Sequence, residues 1–196
     1  MSRVVRLALL ATWLCALPLA AAHAGEADDA KLAERIAKLR APGALEREFV
    51  ETKQLALLAA PLESRGVMTF APPNRLRWEI REPEPSLLEV AGDVVEFSKP
   101  GTKPRRIDLT REPGARGLVD AVRLLLSGEF AALRRDYELA LSEDGAHWRL
   151  SLTPRAAALR RVVARMEFAG VADTPRELLL EFANGDRSRV RFEVVP

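Results

Sequence analysis

An alternation of apolar and polar residues sets in after Pro42-Gly43 and persists to the C-terminus, and it constrains this chain more than any other feature. Leu76, Trp78 and Ile80 alternate with Arg77, Glu79 and Arg81, and Tyr137, Leu139 and Leu141 with Glu138, Ala140 and Ser142. Trp148, Leu150 and Leu152 alternate with Arg149, Ser151 and Thr153, and Val162, Ala164, Met166 and Phe168 with Val163, Arg165 and Glu167. Leu178, Leu180 and Phe182, then Val190, Phe192 and Val194, complete the set. Successive side chains of a strand point to opposite faces, so each run reads as a strand with one face buried. Less regular strands are expected near 45–57, 63–71, 86–91, 93–98 and 105–110. Turn residues at Gly92-Asp93, Asp144-Gly145 and Asn184-Gly185-Asp186 suit hairpins, which makes consecutive strands antiparallel neighbours.

Two segments carry a helical period instead. From Ala27 to Leu39, Leu32, Ile36 and Leu39 fall on one face, with Asp28 and Asp29 near the start. From Gly117 to Arg134, Leu118, Ala121, Val122, Leu125, Phe130 and Leu133 keep helical spacing, and Gly128 splits the segment into two short helices. A long sheet with one apolar face must cover that face or close on itself. Two helical segments are little cover for so much sheet. The predicted fold is therefore mostly β with some α: a strongly curved, unclosed antiparallel β-barrel covered by an N-terminal helix and a central helical lid.

The N-terminus reads as an export signal. Arg3 and Arg6 precede the apolar run Leu7 to Ala22, and Ala22-His23-Ala24 supplies a small-residue cleavage site. The run is shorter than the roughly 20 residues of a spanning helix, so cleavage after Ala24 is expected. Lipidation at Cys15 is disfavoured by Leu14 immediately before it. Residues 1–24 are thus a predicted signal peptide, and residues 25–196 a single domain of 172 residues. Without its two arginines, the 30 basic residues fall to 28 against 28 acidic ones. These charges are finely mixed along the chain, which excludes the sustained basic surface of a nucleic-acid binder. The mature chain would hold no cysteine and one histidine, His147. That leaves no disulfide and no zinc site built on several histidines or cysteines, and no cofactor is expected.

The order Phe49-Val50-Glu51-Thr52-Lys53-Gln54, Gly66-Val67-Met68-Thr69-Phe70, Pro73-Asn74-Arg75-Leu76-Arg77-Trp78 and Pro83 resembles the N-terminal half of LolA-like outer-membrane lipoprotein carriers. Leu124-Leu125-Leu126-Ser127-Gly128, the stretch Trp148 to Arg155 and Asn184-Gly185-Asp186 resemble a divergent branch of the same family. The resemblance implies an internal apolar cavity that accepts acyl chains in the periplasm. Its lining would be Met68, Phe70, Leu76, Trp78, Ile80, Phe97, Leu125, Tyr137, Leu139, Trp148, Leu150, Met166, Phe168, Leu180 and Phe182. The implied protein is a monomeric, non-enzymatic carrier that shuttles a lipoprotein or other lipid-like cargo from an inner-membrane exporter to an outer-membrane acceptor. A second reading is an assembly factor for a lipid or polyene exporter, with no internal ligand. One departure concerns the lid. Many carriers place a basic residue before the proline of the strand-ending turn to hold the lid shut, where this chain has Ala71-Pro72-Pro73.

Three other features read as surface. His147 follows a hairpin glycine, and no Gly-x-Ser-x-Gly elbow accompanies it to suggest a hydrolase. Glu46 with Glu48, and Glu82 with Glu84, sit among arginines that would pair with them in solvent. The clusters Lys103-Pro104-Arg105-Arg106 and Arg155 to Arg165 read first as a solvated rim, and otherwise as a site for anionic head groups or an acidic partner.

Overall fold

The computed structural model describes residues 20–193, with side chains from Asp28 onward. The expected export signal falls largely outside the described residues, and so does Val194. The first helix, α1 (Ala20–Lys38), begins ahead of the expected Ala27, through a run of alanines that favours helix. It buries Leu32 and Ile36, and Leu39 just beyond its end. Among the described residues no helix is long and apolar enough to cross a membrane.

Six strands follow: β1 (Leu45–Gln54), β2 (Leu62–Ala71), β3 (Arg75–Glu82), β4 (Ser86–Ala91), β5 (Val94–Ser98) and β6 (Arg105–Asp108). Two helices come next, α2 (Pro113–Ser127) and α3 (Phe130–Asp136). Gly128 divides them as expected, adopting a left-handed φ of 74° and capping Leu124 and Leu125. The helical region starts earlier than Gly117 because Pro113 suits the first turn of a helix. The chain then runs through β7 (Tyr137–Asp144), β8 (His147–Pro154), the single turn α4 (Ala157–Arg160), β9 (Val163–Val171), β10 (Thr174–Phe182) and β11 (Arg187–Phe192).

All eleven strands form one antiparallel sheet in the order β6-β5-β4-β3-β2-β1-β11-β10-β9-β8-β7. Consecutive strands pair throughout, and β1 pairs with β11 to join the two halves. The edges β6 and β7 are not paired to each other, so the sheet is not closed into a barrel, and α2 and α3 make the connection between these edges.

One correction to the alternation comes from β9. The sequence put Val162 and Ala164 on the same face as Met166, with Val163 opposite. Between Glu181↔Arg165 and Phe182↔Val163 the register slips by one residue. Such a bulge reverses the phase of the strand. Val163 is therefore 0% exposed while Val162 faces solvent.

Candidate functional site

Directly opposite residues of an antiparallel pair share a face, so the register shows where each expected cavity residue lies. Met68 opposes Trp78, Phe70 opposes Leu76, and Gly66 opposes Ile80. Trp78 opposes Leu88, which opposes Phe97. Across the other half, Tyr137 opposes Pro154, Leu139 opposes Leu152, and Leu150 opposes Phe168. Leu180 and Phe182 oppose Met166 and Val163, and Trp148 opposes Gly170. The fourteen strand-borne positions thus share one face, and Leu125 of α2 packs into the same apolar cluster.

Within that cluster Met68, Phe70, Leu76, Leu125, Tyr137, Leu139, Trp148, Leu150, Met166 and Phe168 are buried. Trp78, Ile80, Leu180 and Phe182 pack against it while only partly covered, and Phe97, also partly covered, lies outside it. Two glycines let the large rings lie flat on the sheet. A side chain at Gly66 would collide with the Glu79 carbonyl and then Phe49, and one at Gly170 with the Thr174 carbonyl and Trp148. The Phe49 and Trp78 rings stack at 4.2 Å between centroids.

An apolar pocket of about 180 Å3 opens at the end of the sheet where β1 begins. Of the expected residues, Met68, Trp78, Leu125 and Phe168 line it. Phe70, Leu76, Tyr137, Leu139, Trp148, Leu150 and Met166 are buried in the core around it, and Ile80, Phe97, Leu180 and Phe182 stay partly covered outside it. The pocket also uses Leu39, Ala41, Leu45, Leu126, Leu178 and Phe192, which the sequence reading left out. Leu45 lies in phase with Phe49 on β1, and Leu126 adjoins Leu125 on α2, so both signals were present. They were masked by the irregular pattern of 45–57 and by the unknown rotation of α2. Lys38, Arg40 and Arg47 line the same mouth, and Asp173 faces them.

The opposite end of the inner face is polar. Glu51 is 6% exposed and accepts hydrogen bonds from Ser188 Oγ at 2.6 Å and Ser64 Oγ at 3.3 Å. Lys53 Nζ stands 3.2 Å from the same carboxylate. A buried carboxylate held this way is satisfied, and it forms a polar stopper where an apolar channel would otherwise emerge.

Helices cover the pocket through specific links. The Ala41 N–H donates to Leu126 O at 2.8 Å, joining the linker after α1 to the end of α2. Tyr137 Oη donates to Gly117 O at 2.5 Å, and burial together with Asp120 and Asp136 pushes this phenol well above its ordinary value of 10.0. A side chain at Gly117 would strike Leu159, so α2 and α4 approach closely there. Arg35 of α1 reaches the strand ends. Its Nε donates to Glu143 Oε1 at 2.8 Å, its Nη1 donates to Ala172 O at 2.6 Å, and its guanidinium lies 5.7 Å from the Trp148 ring centroid. Arg35 thus fastens α1 to the β7–β8 and β9–β10 turns, in a chain that has Ala71-Pro72-Pro73 where a lid-holding basic residue was sought.

The outer face of the sheet is laced with pairs such as Arg77–Glu89, Arg149–Glu167, Arg165–Glu181 and Arg189–Glu177. Glu84 pairs with Lys99, while Glu46, Glu48 and Glu82 lie exposed on the surface. His147 is exposed at the start of β8.

A family described as outer membrane lipoprotein carrier protein LolA-like matches residues 20–190. An outer-membrane lipoprotein carrier protein of Dechloromonas aromatica (strain RCB) is 27% identical over 194 residues, covering 98% of this chain and 86% of the relative. The chain is also similar to the crystal structure of a LolA superfamily protein from Nitrosomonas europaea, with TM-score 0.47, 12% identity and coverage of 85% of this chain and 92% of the other. A putative outer membrane lipoprotein-sorting protein domain from Vibrio parahaemolyticus gives TM-score 0.49, 8% identity and coverage of 86% and 91%.

Proposed function

The chain belongs to the LolA-like outer membrane lipoprotein carrier family, and on that premise we propose that it is a periplasmic carrier, holding the acyl part of a lipoprotein or related lipid against its inner face and shuttling it towards the outer membrane. The family is one of carriers, not enzymes. The observation that supports the reading best is the apolar pocket between Trp78, Phe168 and Leu125, set into the margin of a continuous apolar face.

Burial contributes about 0.8 kcal/mol per methylene, so ten methylenes would contribute on the order of 8 kcal/mol. A dry apolar space of about 150 Å3 accepts benzene, and the pocket here is of that order at about 180 Å3. It takes the end of a chain as it stands, and a full acyl chain requires the helices to move outward. Partly covered Trp78, Ile80, Phe97, Leu180 and Phe182 are the surfaces such a chain would occupy. Direction would come from the affinities of an inner-membrane exporter and an outer-membrane acceptor, since a carrier alone shifts no equilibrium between them.

The test is a displaceable fluorescent fatty acid, alongside native mass spectrometry of protein purified from its own periplasm. Stoichiometric binding lost in Trp78→Glu or Phe168→Glu, with the fold retained, supports the carrier. A protein that comes out lipid-free and ignores the probe sinks it. The second reading, an assembly factor for an exporter with no internal ligand, is favoured by the complete burial of Leu150, Leu152 and Met166, which leaves that part of the inner face filled by its own side chains. Binding to a partner protein alone, without lipid, would support it.

A further inference from the structure

The end of the sheet opposite the pocket carries an apolar tip that the carrier reading does not use. Between β1 and β2 the chain runs Leu55-Ala56-Leu57-Leu58-Ala59-Ala60-Pro61, seven residues without a polar side chain. Leu57 is 97% exposed, Leu58 46% and Leu62 49%. Scattered surface leucines need no explanation, but two on one loop and a third where β2 begins do. The loop is also anchored, because the Ala56 N–H donates to Asp186 Oδ1 at 2.8 Å on the β10–β11 turn.

The same end gathers cations from two other connections. The β5–β6 turn brings Lys103 and leads into Arg105, and the β8–β9 connection brings Arg155, Arg160 and Arg161. Arg161 and Val162 border a hollow with Leu55 and Phe182, which puts cations beside the apolar loop. Among the described residues these five cations have no carboxylate partner within salt-bridge distance, whereas the outer face of the sheet pairs its arginines. Most acids at this end are already engaged: Glu51 with Lys53, Glu63 with Arg65, Glu84 with Lys99, and Glu181 with Arg187. Asp186 is held by the Ala56 N–H and the Asn184 side-chain amide, which leaves Glu82 and Glu138 as the exceptions among the described residues.

We propose that this end is a membrane-contact face: Leu57 and Leu58 enter the head-group region of a bilayer while Lys103, Arg105, Arg160 and Arg161 meet anionic lipid head groups. Exposed leucines at an end that also carries unpaired cations are the chemistry of interfacial binding. An acidic protein would match the charges but leave Leu57 in water. The face lies at the far end from the pocket, so a carrier touching a bilayer this way keeps its mouth turned from the membrane plane.

The test is co-sedimentation of the purified protein with phosphatidylcholine vesicles, with and without phosphatidylglycerol. Association is expected only with the anionic vesicles, and salt should weaken it. Leu57→Asp with Leu58→Asp should reduce partitioning by about tenfold or more, and Arg160→Ala with Arg161→Ala by about fivefold per charge removed. A Leu57→Trp variant should show a blue-shifted emission on anionic vesicles. Both leucines are exposed, so unchanged melting and circular dichroism are expected in every variant. Equal partitioning of the aspartate variant, no association of the wild type, or capture by an acidic protein without vesicles would each overturn the proposal. Fatty-acid probe binding should be unchanged in the aspartate variant, which keeps this outcome separate from the fate of the carrier reading.

Discussion

The two walls of the inner face are built from the same kinds of residue and treat them differently. On β8 and β9, Leu150, Leu152 and Met166 are 0% exposed, whereas Trp78, Ile80, Leu88 and Phe97 on β3, β4 and β5 remain half-covered. Both walls alternate well, so the strands themselves do not explain the contrast. The helices do, because α3 lies against β7 and α4 against β8 and β9. Burial on a sheet is decided by what lands on it as much as by its own pattern. One wall has become core, and the other, buried at Leu76, Val90 and Val95, remains half-covered towards the β3–β4 turn as a surface that a ligand could complete.

The largest effect that would test this contrast is on the filled wall. Leu150→Ala is expected to cost about 3 to 4 kcal/mol in denaturant unfolding, through lost transfer energy and a cavity that close neighbours cannot fill. Arg35→Ala should cost about 1 to 2 kcal/mol by removing its bonds to Glu143 and Ala172 and its contact with Trp148. Faster uptake of a fatty-acid probe, followed by stopped-flow fluorescence, should accompany it. Ile80→Ala on the half-covered wall should cost only about 1 kcal/mol. A loss equal to that of Leu150→Ala would show that both walls are core and erase the distinction.

The smallest effects concern pH and act at opposite ends of the scale. Tyr137, on the filled side, has its phenol pushed up by burial, with Asp120 and Asp136 adding to the effect. Its contribution is intact below the ordinary value of 10.0 and erodes above it, as the unfolded chain ionises first. Asp108, at the end of edge strand β6, is held below its ordinary value of 3.8 by hydrogen bonds from the Thr110 hydroxyl and N–H, with a minor contribution from Arg111. That contribution is present above 3.8 and is lost as pH falls through the lowered value. Amide exchange should therefore rise near α2 and β7 in alkali, and near β6 in acid. Exchange that moves at the same place in both conditions would contradict this assignment.

Much of the fold was legible because the side-chain period of a strand is strict. Eleven expected residues on β3 and β7 to β10 share one face because each lies two positions from its neighbour in a strict alternation, and Met68, Phe70 and Phe97, from less regular strands, join them there. The split at Gly128 was legible for the same local reason, since a glycine there can adopt the left-handed cap. The misses have a common cause. Val163 depends on a bulge that only strand pairing reveals. Helix α4 was hidden inside a run read as a basic cluster. The role of Arg35 depends on where α1 docks against β7 to β10. Which inner residues line the pocket and which fill the core depends on helix placement, and placement is tertiary.

The missing bond ladder between β6 and β7 has a mechanical consequence. A closed ring of strands can change its bore only by breaking rungs, whereas a split ring dilates by letting its two lips part. Here the lips are tied by a pair of struts, 113–136, jointed at Gly128 and Glu129. Under the carrier reading, the interior would swell to the size of a cargo without loss of a single strand pair and shrink back once that cargo leaves.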